Sequence, residues 1–78
     1  MATKTEKILA TAVKYATQRK DYGKPNVKRT EIYTVLSWEH GEDAIGNGKM
    51  MSVEFMNQVA EAVGGTYVSK GGAKIIFG

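Results

Sequence analysis

Cysteine is absent from the 78 residues, proline, histidine and tryptophan occur once each, and the apolar segments are short and interrupted. Without cysteine there is no disulfide framework, no thiolate zinc site and no thiol nucleophile. A lone His40 cannot build a metal site, and no motif beside it supplies the base that a serine or threonine nucleophile needs. An N-terminal apolar run of leader type and a stretch long enough to span a bilayer are both missing, which points to a cytoplasmic setting without membrane contact. No enzyme and no cofactor are therefore expected.

What is there reads as a folded chain. Hydrophobic residues at 42% and charged residues at 24% are too apolar a mixture for wholesale disorder. Its length suits a single small domain (1–78) that buries a modest fraction of its surface. The net charge is +3, but the distribution says more than the sum. Residues 1–30 carry eight Lys or Arg against two acids, residues 31–65 reverse this to a net −5, and the last thirteen add Lys70 and Lys74. Such polarity fits an acidic partner at one end, while solvation alone also accounts for runs of charge.

The first element is a helix over 3–20. Thr3 and Glu6 have capping-box spacing, and Ile8, Leu9, Ala12, Val13, Tyr15 and Ala16 recur at helical steps. Arg19 and Lys20 sit at its negative pole. Asp21 to Asn26, with Gly23 and Pro25, is a turn, and Val27 to Arg29 a very short strand. Thr30 is positioned to cap a second helix over 30–39, with Ile32, Val35, Leu36 and Trp38 turned inward. Residues 40–51, rich in glycine, read as a flexible loop. A third helix over 52–63 has Ser52 as cap, Phe55, Met56, Val59, Ala60 and Val63 as its apolar face, and Gly64-Gly65 as its stop. The hairpin over 66–77 turns at Gly71-Gly72. That turn opposes Ser69 to Lys74, Val68 to Ile75, Tyr67 to Ile76 and Thr66 to Phe77, and faces Thr66, Val68, Ile75 and Phe77 to the core.

This α+β order, three helices with a short strand after the first and a C-terminal β-hairpin, resembles the winged-helix family of helix-turn-helix proteins. The resemblance implies a third helix, Ser52 to Val63, lying in the major groove, with Asn57 and Gln58 able to reach base edges. It also implies a hairpin wing whose Lys70 and Lys74 meet phosphate. Two features depart from the family pattern. The third helix carries Glu54 and Glu61 and no cation, and the connector before it exceeds the usual three or four residues.

A second candidate lies in the first half of the chain, where Arg19, Lys20, Lys24, Lys28 and Arg29 surround Tyr22, a ring able to stack on a base. Gly46-Asn47-Gly48-Lys49 fails as a phosphate loop, because Asp43 and Met50 stand where a glycine and a serine or threonine are needed. Glu39, His40, Glu42 and Asp43 lack a rigid scaffold that would aim them at one point. Met50, Met51, Phe55 and Met56 suit core filling better than an adaptable docking surface. Two functions are expected from these residues: a nucleic-acid-binding regulator, or a protein-binding modulator of the kind phages and mobile elements direct at host proteins. A homodimer through the strand that ends at Phe77-Gly78 is a further expectation.

Overall fold

A computed structural model describes residues 3–77, with Asn47 described through its backbone alone. Helix α1 (Lys4–Asp21) opens at Thr3, whose hydroxyl accepts the Glu6 backbone N–H at 3.1 Å. Strand β1 (Asn26–Lys28) runs directly into helix α2 (Arg29–His40). A short 3₁₀ turn (Gly46–Gly48) precedes helix α3 (Val53–Val63), and strands β2 (Gly65–Val68) and β3 (Lys74–Phe77) follow. The fold is three helices with a small three-stranded antiparallel sheet in the order β1-β3-β2.

The apolar periodicity explains which faces are buried. Ile8, Ala12 and Ala16 form a thin stripe along α1, and the two alanines let α1 approach its neighbours α2 and α3 closely. Helix α3 contributes the broadest apolar face, with Phe55, Met56, Val59, Ala60 and Val63 all buried. Val27 and Ile75, opposed in the sheet and both fully buried, close the core from the third side. Ser52 caps α3 through the Phe55 N–H at 3.2 Å, and Gly64 ends it in the left-handed conformation at φ 72°.

Several expectations are corrected. The second helix starts one residue early, and its cap position is Lys28 rather than Thr30. Strand pairing carries extended backbone up to Lys28, and the Glu31 carboxylate accepts the Lys28 N–H at 2.9 Å. Trp38 is 87% exposed instead of facing inward. It lies two residues beyond buried Leu36, a rotation of roughly 200° around a helix, so the two cannot share a face.

The loop over 40–51 is anchored rather than loose. Ile45 is fully buried and Met51 nearly so, and the Arg29 guanidinium holds the carbonyls of Gly48 and Met51. Met51, Phe55 and Met56 fill the core, as expected of them.

The hairpin differs from the two-residue turn by one position. Gly65 opposes Phe77, Thr66 opposes Ile76, Tyr67 opposes Ile75 and Val68 opposes Lys74. A slip of one residue exchanges faces along the whole strand. Tyr67, not Thr66 or Val68, therefore shares the inner face with Ile75 and packs on the core. The cause is visible at Ala73, which leaves the β2–β3 ladder so that its carbonyl can accept the Arg29 N–H at 2.9 Å. Ser69 to Ala73 become the connecting loop, with Gly71 and Gly72 at positive φ. Gly65 is needed where it stands, because a Cβ there would lie 2.7 Å from the Ile76 carbonyl oxygen. Strand β3 is central and paired on both sides, so it offers no free edge to a partner; the outer edges belong to β1 and β2, and Gly78 lies outside the described residues.

Candidate nucleic-acid interface

The basic residues of the first half do not form one surface. Arg19 donates from Nε to the Tyr15 hydroxyl at 2.9 Å, with its guanidinium carbon 5.1 Å from the Tyr15 ring centroid. That hydrogen bond, and secondarily the charge of Tyr15, raises the pKa of Arg19 above its already high ordinary value. The group is a permanent cation occupied with its own helix. Lys20 donates from Nζ to the Val63 carbonyl at 2.9 Å, satisfying a free acceptor at the negative pole of α3. Arg29 donates to the Gly48 carbonyl at 2.9 Å and to the Met51 carbonyl at 3.1 and 3.3 Å. Lys20 thus ties α1 to α3, and Arg29 ties α2 to the loop before α3.

The remaining candidate cations, Lys24, Lys28, Lys70 and Lys74, divide between two ends of the sheet. Tyr22, 79% exposed, and Lys24 stand where α1 turns into β1, beside Pro25, whose carbonyl accepts the Phe77 N–H. Four residues further along, at the opposite end of β1, Lys28 is directly opposed to Lys74 of β3. Opposed residues share a sheet face with Cα atoms roughly 5 Å apart. The β2–β3 loop rises next to this pair and carries Lys70, fully on the surface. Between the loop and the start of α2 lies a groove of about 310 Å³, with Lys28, Arg29 and Thr30 on one wall and Gly71 to Lys74 on the other.

Three sources of positive potential meet in that groove: Lys28, Lys74 and the N-terminal pole of α2. Glu31 offsets part of it, its carboxylate engaged with the Lys28 N–H. Like charges opposed across a sheet do not favour its pairing, and the register places Lys28 and Lys74 as such a pair. Gly71 and Gly72 stand across the groove at positive φ, and because a Cβ on either would meet nothing within 4 Å, backbone conformation rather than space calls for glycine there.

Asn57 and Gln58 are exposed on α3, away from this cluster in chemistry as well as in sequence. Their exposed neighbours are Val53, Glu54, Glu61 and Ala62, and the helix bears no cation. Among the described residues no group of three His, Cys, Asp or Glu is placed to hold a metal ion. No described helix is long and apolar enough to cross a membrane. Sequence reasoning missed Thr30 as a groove residue, and it placed Trp38 inside, where helical spacing from Leu36 signalled the reverse. Comparison with protein-family models, with curated proteins and with solved structures found no significant match.

Proposed function

We propose that the chain is a small nucleic-acid-binding regulatory protein of winged-helix-like architecture that grips phosphate through the end of its sheet. Lys28 and Lys74 are the phosphate contacts, Lys70 reaches from the wing, and the N-terminal turn of α2 supports the same anion. The observation that carries this reading is the directly opposed Lys28–Lys74 pair beside a helix N-terminus, two like charges lining one groove that a bridging phosphate would neutralise. The element order and the pairing of β1 with β3 support the winged-helix likeness. The acidic face of α3 does not suit a helix buried in a phosphate-lined groove, so binding is expected to follow the backbone with weak base preference.

A second reading, a modulator that binds a host protein, draws support from that same α3 face. Val53 is 58% exposed at the start of α3, ahead of Glu54, Asn57, Gln58 and Glu61, a combination suited to a basic protein surface. One experiment separates the two. Fluorescence anisotropy with labelled duplex DNA, single-stranded DNA and RNA, at about 50 and about 200 mM salt, is expected to give micromolar binding that weakens at least tenfold across the range. Absence of binding to all three at the lower salt overturns the nucleic-acid reading and turns attention to protein partners of the α3 face.

A further inference from the structure

Trp38 is the sole tryptophan of the chain and the most exposed large apolar side chain among the described residues, on a helix whose other apolar positions are at least partly covered. Its surroundings show what fits over it. Helices α1 and α2 pack together in opposite directions, with Thr11 Oγ1 of α1 2.8 Å from His40 Nε2 at the end of α2 and Arg19, late in α1, within reach of the charge of Glu31 at the start of α2. A shallow groove of about 210 Å³ runs between them, floored by Tyr15 and Val35, with Lys14 on the α1 wall and Glu39 on the α2 wall. Trp38 follows Val35 by three residues, so it stands on the outer rim of the same groove.

Charge on the two walls is of opposite sign. Lys7 and Lys14 share a helical stripe with Thr11 and Gln18 on α1, while Glu39, Glu42 and Asp43 follow Trp38 along α2 and into the loop, all five exposed. We propose that this face is self-complementary and that two copies of the chain associate through it. A two-fold axis parallel to the helices and centred on the groove lays α1 of each copy over α2 of the other. Each acidic stripe then meets a basic stripe, and each Trp38 lies over the partner's α1 near the stem of its Lys14. An isologous interface requires this pairing of one patch with itself, and cation–π contact adds to it. A 12-residue α2 is roughly 18 Å long and two packed helices roughly 20 Å wide, giving about 400 Å² per copy. That is half the area of a standard interface, so the dimer is weak and concentration-dependent. The face is separate from the Lys28–Lys74 groove and stands whether or not nucleic acid binds there.

Sedimentation of the full chain from about 10 μM to about 1 mM, with tryptophan emission recorded on the same samples, tests this. The average mass is expected to rise from 8.5 kDa towards twice that value, with emission moving to shorter wavelength as Trp38 leaves water. Lys14→Glu and Glu39→Lys change exposed positions, and each alone is expected to remain a monomer because like charges then face each other across the axis. An equimolar mixture of the two is expected to form a heterodimer, since every facing pair is again of opposite sign. A wild-type chain that stays monomeric with water-exposed emission at about 1 mM overturns the proposal. So does a dimer whose Trp38 emission does not move, or one that both charge variants leave intact.

Discussion

Arg29 separates cations held by the fold from those free to meet a ligand more sharply than any other candidate position. It follows Lys28 in sequence and shares its groove, yet its guanidinium donates to two carbonyls of the segment that leads into α3. Arg29→Ala leaves the Gly48 and Met51 carbonyls without that donor and removes the anchor of the loop. The expected loss is about 2–3 kcal/mol, a large share of the stability of a domain this small. Arg29→Lys keeps the charge but not the planar fork that spans both acceptors, so it recovers only a minor part. Urea unfolding of both variants measures this, with Lys28→Ala as the comparison expected to change stability by under about 0.5 kcal/mol. A stable Arg29→Ala protein that has lost nucleic-acid binding would instead make Arg29 a ligand contact.

At the scale of elements, the helices were legible because their signals are local. Thr3, Ser52 and Gly64 act within one turn of where they stand, and the apolar faces of α1 and α3 follow from spacing alone. What was illegible depends on partners distant in sequence. The start of α2 is set by β1 pairing with a strand some fifty residues later, and the anchoring of residues 40–51 depends on a guanidinium contributed from α2.

The hairpin register belongs to the same class. Gly71-Gly72 is a sound two-residue turn in isolation, but the Ala73 carbonyl is drawn to the Arg29 N–H and the loop lengthens to five residues. Substitutions on β2 test the outcome directly. Tyr67→Ala is expected to cost about 2–3 kcal/mol, because the ring packs on the core, and Thr66→Ala under about 1 kcal/mol, because Thr66 is exposed. Thermal unfolding that ranks the two in the opposite order would restore the two-residue turn.

Across the whole molecule the candidate site was half legible. Lys28, Lys70 and Lys74 stood among the candidates for phosphate contact, but nothing local to the chain distinguishes them from Arg19, Lys20 and Arg29, whose acceptors lie in the fold. Sheet geometry also separates Lys24 and Tyr22 from the groove. The chain from Lys24 to Lys28, bent at Pro25 and extended only over β1, spans at most roughly 13 Å, against a screening length of about 8 Å at physiological salt. The two ends should therefore act independently on a bound backbone. Removing Lys28 and Lys74 together is expected to lower the slope of log affinity against log salt by about 1.8 for duplex DNA, since each phosphate contact contributes about 0.9. Lys24→Ala and Tyr22→Ala should leave that slope unchanged. A further sign follows from the repulsion between the opposed lysines. Lys74→Gln should raise the unfolding temperature of the free protein slightly while weakening its binding, because relief of a like-charge pair stabilises the sheet and deletes a phosphate contact at once. Anisotropy titrations across salt, paired with thermal unfolding of the same variants, measure both signs. Equal flattening of the slope by Lys24→Ala would mean that the ligand spans both ends of β1, and a Lys74→Gln protein less stable than the parent would remove the electrostatic argument for the groove.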